Sequence, residues 1–576
     1  MHGSPRGSRI AVLAAAVILI AAACGSGNPS PSASTEPAPE SVAPTEAPSA
    51  PPDYKAMVYP ETGEAPCGVA PYSGNLKKIS ALDYKTVEFQ MCAPEVAFLA
   101  KVAFAAFGIS DTDYLTAHAP DKSYLTEPNG TGPYKLKEWS KGNRIVLEAF
   151  DGYWGDKALS QFVEFRWSDE AAQRLLELQS GNADGIDNPG TADIDTIKAD
   201  STLQFIPREG LNVLYLGMNV DMKPWDDVRV RQAIAMGIDR QQIVDNFYPP
   251  GSEVATHFTP CAIPFGCEGE PTWDFNPTEA KRLLTEAGYP DGFKTKITFR
   301  TAVRGYLPEP PVIAAEIAQQ LKANLGIDAT IDIMESGALF AAQTDGTLDG
   351  IVMLGWGADF PDASNFLDYH FGRASKRFGT PFEDIYTNLE KGGSASADAD
   401  RAAAYGAANT AIKEHVPAVI MIHGGSGTAW KADVTGAQSS PLGNEKFNLM
   451  KAGDRDTLVW NQNLEPLSLY CGDESDGEAL RACEQITESL YAYETGGTKP
   501  IPSLATECKP NAELTVWTCS LREGVKFHDG ADFDANDVVL SFAAAWDTKH
   551  PLHIGRDGLF DYVPGNFGGF LNPPAE

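Results

Sequence analysis

LREGVKFHDGADFDANDVVLSF, Leu521 to Phe542, sets three kinds of local structure in a row. Strand-like TVWTCSLR runs into it. FHDG then places Gly530 where a tight turn needs a residue free to adopt positive φ. DANDVVLSFAAAW follows as a helix. Strand, turn and helix follow one another here, close to the C-terminal end of the sequence. Just upstream, Cys508 and Cys519 flank the turn KPNAEL between strand-like PSLATEC and TVWTCSLR, so they are candidates for a cross-strand bridge.

Outward from this segment, strand-like runs alternate with helical ones. TVEFQMC precedes apolar VAFLAKVAFAAF. Strand-like RIVLEAF precedes the helix DEAAQRLLELQSG, with Leu175, Leu176 and Leu178 on or near its buried face and Gly181 as its stop. VLYLGMNV is a strand, and DDVRVRQAIAMGIDRQQIVDNFY begins with the acidic residues that suit a helix N-terminus. NPTEAKRLLTEAGYPDGF opens with an N-cap and capping-box pattern, Asn276 to Glu279, and stops at Gly288 with Pro290 beyond. KTKITFR, ATIDIM and GIVMLGW complete an α/β pattern, for which mixed sheets flanked by helices are expected. No fixed-period repeat and no second low-complexity linker breaks the chain after residue 53.

Several passages share a resemblance. GTGPYKLKEWSKGNRIVLEAFDGYWG, residues 130–155, and the helix after it resemble family 5 extracellular solute-binding proteins, the peptide-, nickel- and opine-type receptors of ABC importers. LYLGMNVDMKPWDDVRVRQAIAMGIDRQQIV (214–244), FNPTEAKRLLTEAGYPDGF and LGWGADFPDASNFL continue the likeness in family order. The resemblance implies a two-lobed α/β fold like that of periplasmic binding proteins, of type II and the large cluster C kind, with an accessory subdomain.

In ordinary members the LREGVKFHDG passage precedes GTGPY; here it follows. A truncated second copy would leave the first copy with its own version, but residues 54–129 hold none, and LDYKTVEFQMCAPEVAFLA there matches what normally comes after it. Circular permutation is therefore expected, with the family's original termini joined near AGDRD, residues 452–456. Permutation is physically inexpensive where native termini lie close together. It requires residues 505–546 to pack beside residues 80–105. The implied organisation is an accessory subdomain of about 54–120 plus 488–576, lobe I of about 121–215 plus 430–487, and lobe II of about 216–429. The hinge is expected near 211–220 and 424–432.

The first 23 residues carry Arg6 and Arg9 and then an apolar run too short to span a bilayer, the pattern of a secretory signal. Cys24, after three alanines, resembles a lipobox cysteine, implying lipid anchoring at the extracellular face of a bacterial membrane; ordinary cleavage nearby is the alternative. Residues 24–53, rich in Pro, Ser and Ala, hold too little apolar surface to order and read as a tether. With 45 Lys+Arg against 78 Asp+Glu, the formal charge of −33 argues against nucleic acid as a partner. Export makes the surroundings oxidising, and eight cysteines remain after Cys24. Neighbour pairing is expected: Cys67 with Cys92, Cys261 with Cys267, Cys471 with Cys483, and Cys508 with Cys519. Metal ligation is the alternative, disfavoured because there is no CxxC and the nine histidines do not cluster at ligand spacing.

The resemblance implies recognition of a ligand rather than catalysis, with no cofactor and a monomeric receptor. In peptide-binding relatives an aspartate at the position of Asp359, in GWGADFPDASNF, pairs with the ligand's α-ammonium. Trp356 offers an aromatic wall and Gly357 close backbone approach; Tyr215 on the crossing strand faces either the cleft or a core. Against Asp359 stands the reading that it only caps a local turn, with Asp362 the more exposed partner. His528 and Asp529 in FHDG read as turn residues, and GTGPY lacks the helix a phosphate loop requires. MIHGGSG at His423 has no GxSxG elbow, and no carboxylate pair or nucleophile–base set points to a hydrolase. The expected function is delivery of a dipeptide or oligopeptide to an ABC permease. An oligosaccharide, an opine-like compound or a nickel chelate is the alternative ligand, and sensing without transport the alternative role.

Overall fold

The computed structural model describes residues 50–573. Strand Val516–Leu521, which leads into the quoted segment, lies inside a five-stranded antiparallel sheet ordered Val58–Tyr59, Leu76–Asp83, Thr86–Met91, Val516–Leu521, Ala505–Pro510. Helix Ala535–Trp546 packs on it, started by a reciprocal capping box between Asp534 and Asp537. Phe542 on that helix meets Phe89 at 5.0 Å and Phe107 at 5.6 Å between ring centres, and Phe98 stacks on Trp517 at 4.8 Å. Residues 505–546 and 80–107 thus share one core. Burial of each such aromatic contributes about 1.5–3 kcal/mol.

The first lobe is built on a seven-stranded sheet ordered Tyr134–Ser140, Arg144–Ala149, Phe162–Trp167, Thr457–Gln462, Gly185–Asp187, Ser426–Lys431, Leu203–Arg208. Thr457–Gln462 runs parallel to both its neighbours at the centre of this sheet, and Trp460 stacks on Trp430 at 4.8 Å. Arg481, from helix Gly477–Cys483, joins a buried ion network with Asp187, Glu445 and Arg208 at 2.6–3.0 Å. The passage 457–483 is therefore structural material of this lobe, not an appendage.

The second lobe holds a six-stranded sheet ordered Glu253–Val254, Ala418–His423, Asn212–Met218, Ile351–Gly357, Lys294–Phe299, Asp328–Ile333, with apolar clusters on both faces. The chain crosses between lobes at 209–211 and again at 424–425. This corrects the expected boundaries at 215/216 and 429/430. Asn212 already pairs with Gly357 in the second sheet, and Ser426 with Arg208 in the first, so hydrogen-bond register sets each edge. The crossing is tightly built: the Asn212 amide accepts from Gly424 N–H at 2.9 Å and donates to Gly424 O at 2.7 Å. A Cβ at Gly424 would sit 2.1 Å from the Gly305 carbonyl.

Two local expectations change. Leu176 is 56% exposed, while Leu175 and Leu178, three residues apart, share the buried face. Asn276 caps helix Pro277–Glu286 by accepting from Glu279 N–H at 3.1 Å, but the Glu279 carboxylate pairs with Arg282 instead of closing a box. All four neighbour disulfides are formed; Cys508 and Cys519 face each other in register across the sheet. The signal segment, Cys24 and most of the tether lie outside the described residues. Among the described residues no helix is long and apolar enough to cross a membrane.

Candidate functional site

Ile351–Gly357 is a central strand, antiparallel to Asn212–Met218 on one side and parallel to Lys294–Phe299 on the other. Its apolar half, IVML, is buried, and the polar consequences begin where the strand ends. Gly357 is exposed with open space at its Cβ position. Beyond it the chain turns into helix Ala363–Phe371. Asp362 is the N-cap of that helix, accepting from Ser364 N–H at 3.0 Å, and it pairs with Arg401 at 2.8 Å while buried. The capping role thus falls to Asp362, and Asp359 is left for something else.

Asp359 is held by Asn365. The Asn365 side-chain N–H donates to Asp359 Oδ2 at 3.0 Å, and its Oδ1 accepts from the Asp359 backbone N–H at 3.1 Å and from Trp356 Nε1 at 3.2 Å. One buried amide thereby fixes the carboxylate and the indole together. Burial pushes the Asp359 carboxyl from 3.8 up to about 7, opposed by the Asn365 hydrogen bond. No cationic side chain pairs with it among the described residues. Trp356 packs against Tyr369 at 4.2 Å and His370 at 5.2 Å.

Tyr215 is not brought to this carboxylate. It is buried among Phe258, His370 and Phe378 at 5.4–5.6 Å, and its hydroxyl accepts from Gln343 Nε2 at 3.0 Å. A chain of contacts nevertheless links them: Gln343 accepts from Arg377, Arg377 donates to the Tyr369 hydroxyl, and Tyr369 packs on Trp356. Tyr215 supports the aromatic wall from behind, because the strand is covered on both faces and alternation sends its ring into the core.

The far wall comes from elsewhere in the chain. Burial lifts the hydroxyls of Tyr369, Tyr493 and Tyr562 above the ordinary tyrosine range, and the Asp359 carboxylate adds to the lift in all three. Tyr493 and Tyr562 belong to the 488–573 passage. Phe360, the next residue after Asp359, is 2% exposed inside the core of the five-stranded subdomain, under the Lys101 ammonium at 5.6 Å. Lys101 in turn pairs with Glu95 at 2.7 Å. The second lobe and the five-stranded subdomain therefore meet around Asp359. Sequence reasoning misses Asn365, Tyr369, Tyr493 and Tyr562; only Asn365 carries a signal, as an amide inside the GWGADFPDASNF motif, six residues after Asp359.

The other motif residues have structural employment. His528 donates its backbone N–H to Gly130 O at 2.9 Å and bonds Gly132 O through Nε2 at 3.0 Å; burial pushes its imidazole down to about 4. Gly130 and Gly132 press on the backbone of Gln485 and Ile486 so closely that a Cβ on either would overlap a carbonyl. Glu488 collects the Thr131 and Tyr153 hydroxyls and the Trp154 indole at 2.8–2.9 Å. In MIHGGSG the Gly424 and Gly425 amides are taken by Asn212 and Ser252, so they frame the crossing and offer no oxyanion hole. Metal-compatible geometry occurs, among the described residues, at His257, Cys261 and Cys267.

Residues 27–378 and 499–557 match the family described as bacterial extracellular solute-binding proteins, family 5 Middle. The chain is 30% identical over 384 residues to the dipeptide-binding protein of Escherichia coli (strain K12), covering 65% of this chain and 71% of that protein. It is 27% identical over 406 residues to heme-binding protein A of Haemophilus influenzae, covering 69% and 71%. Among solved structures, it resembles the ABC transporter-associated periplasmic binding protein DppA of Helicobacter pylori in complex with peptide STSA, with 25% identity, TM-score 0.58, and 66% and 75% of the two chains covered. A dipeptide-binding protein of a Pseudoalteromonas species in complex with Met-Leu is similar at 25% identity and TM-score 0.56, covering 64% and 74%.

Proposed function

Because the chain belongs to the family 5 extracellular solute-binding proteins of bacteria, we propose that it delivers a short peptide to an ABC permease and that Asp359 holds the peptide's α-ammonium. The observation that carries this reading is the Asp359 carboxylate: partly buried, aimed by Asn365 and, among the described residues, without a pairing cation. A desolvated carboxylate is costly unless a positive charge joins it, and an ammonium supplies charge and hydrogen-bond donors together. Trp356 lines the ligand's first side chain, Gly357 lets its backbone approach, and closure of the lobes excludes water. The peptide ligands of the relatives support the same substrate class. The receptor works as a monomer at the extracellular face, tethered through the lipidated Cys24.

The rotated order of segments belongs to this reading. Circular permutation is supported by the way 457–462 fills the centre of one sheet and 505–521 completes one side of another, both begun by earlier residues. It is supported too by a family match that falls in two separate stretches. Native mass spectrometry of the folded protein tests the substrate class. A co-purified peptide, lost in Asp359→Ala, is the expected result; a bound sugar or metal chelate retained by that variant overturns it.

A further inference from the structure

The segment THFTPCAIPFGC, Thr256 to Cys267, lies outside the Asp359 site, and apart from Phe258, which packs on Tyr215, its side chains take no part in that site. Its Cys261–Cys267 disulfide closes a short loop, with Cα atoms 5.0 Å apart. Beneath it His257 is 6% exposed, with Nδ1 at 3.0 Å from the Thr256 hydroxyl and Nε2 without any hydrogen-bond partner. A buried imidazole nitrogen left unsatisfied is unusual and asks for an explanation. A ring nitrogen of His257 and the two sulfurs all lie within 4.8 Å of one another. Two thiolates on one tetrahedral zinc, each about 2.3 Å away, stand about 3.8 Å apart, so the sulfurs must part by about 2 Å once the bridge opens, with the His257 nitrogen already close by.

We propose that Cys261, Cys267 and His257 form a thiol-gated site for a thiophilic divalent cation of the Zn2+ or Cd2+ class, closed as the disulfide and opened by a dithiol. One thiolate of the dithiol attacks the exposed Cys261 sulfur, and Cys267 leaves as a thiolate. The second thiol of the reductant then displaces Cys261 from the mixed disulfide. Two electrons pass from the dithiol to the cysteine pair, and the dithiol ends as its own disulfide. The cation replaces the two thiol protons, which go to solvent, and two thiolates balance its charge. His257 supplies the third ligand, and water reaches the fourth position from the exposed Cys261 side.

Two features make the gate selective and keep the site in shape. Among the eight disulfide cysteines only Cys261 is exposed; the others are half-buried or buried. The loop is also held independently of its sulfurs: Asn409 donates to Gly266 O at 3.3 Å and Glu268 O at 2.9 Å, and Phe258 and Ile263 are seated in the lobe core.

The test uses the full chain under graded dithiothreitol, with alkylation and peptide mapping to identify which bridge opens. Cd2+ is then titrated and followed by thiolate-to-metal charge-transfer absorption. The expected result is first opening at Cys261–Cys267, one Cd2+ per opened chain, none in the oxidised protein, and at least tenfold weaker binding in His257→Ala. Opening of another bridge first, or equal affinity in the variant, overturns the proposal. Should His257→Ala fail to fold, cadmium NMR of the opened wild type reads the imidazole ligand directly: coupling to a histidine nitrogen supports the site, and sulfur-only ligation overturns it.

Discussion

Asp359 and Asp362 are three positions apart and do opposite work, which charge and spacing alone do not separate. Asp362 caps a helix and holds Arg401; Asp359 keeps an open valence under Asn365. Replacing Asp359 with Asn should weaken dipeptide binding by about 2–5 kcal/mol in calorimetry, since the ligand's ammonium is left without its charge. The raised pKa of Asp359 gives a sign for pH. Between about 4 and about 7 the folded free protein holds the Asp359 proton that the unfolded chain has released. Its contribution to apo stability is therefore largest below the unfolded value and is lost as pH rises through about 7. On the proposed reading the ligand's ammonium meets the ionised carboxylate, so affinity should fall by up to about tenfold per pH unit below about 7. The difference between wild type and Asp359→Asn across a pH series isolates this from other buried carboxyls. Asn365→Ala, which frees both the carboxylate and the Trp356 indole, should cost about 1–2 kcal/mol of ligand affinity with the fold retained by circular dichroism. Asp359, Trp356 and Gly357 could be named from a motif in one short run. Tyr215 could not be placed, because a strand buried on both faces gives alternation no polar side to report.

At the scale of elements, caps and covalent links were readable because their causes lie within a few residues. Asp227, Asn276 and Asp534 all cap the helices that follow them. Disulfide pairing was readable as neighbour pairing, since each pair borders one turn or loop. Reducing the Cys508–Cys519 link by substituting both residues with Ala should lower unfolding free energy by about 2–4 kcal/mol in denaturant titration, through the freed loop of the unfolded chain. Loss of less than about 0.5 kcal/mol would mean the sheet register holds the hairpin unaided. Other features depend on tertiary partners that local pattern does not contain. Leu176 looks like its neighbours but projects to solvent, and Glu279 prefers Arg282 to the cap. The lobe boundaries were missed for a similar reason: a strand's membership is decided by which sheet accepts its first hydrogen bond, as Asn212 shows with Gly357.

For the molecule as a whole, the two-lobed α/β class followed from motif order, but the completion of the cleft did not. Tyr493 and Tyr562 reach Asp359 from the far end of the chain, and Phe360 seats in a core whose other members lie before residue 110 and after residue 489. The segment order itself makes a prediction. Tyr59 bonds the Asp547 carboxylate, and Asp547 bridges Leu571, so residues 59 and 571 are neighbours, while Lys55 is bonded by Asn536 at the other end of helix Ala535–Trp546. Asp454, Arg455 and Asp456 form an exposed turn. A chain re-ordered with 457–573 joined by a short linker ahead of 54–456 should fold, melt within a few degrees of the original and bind the same ligand. Failure to fold would show that the present order is required and not a rotation of an equivalent one.

The most direct test of peptide recognition through Asp359 is calorimetric titration of the wild-type protein with a dipeptide and with the same dipeptide acetylated at its N-terminus. Tight binding of the free dipeptide and a loss of at least a hundredfold on acetylation are predicted, because acetylation removes the one charge Asp359 is placed to meet. Equal affinity for the two ligands would contradict the assignment.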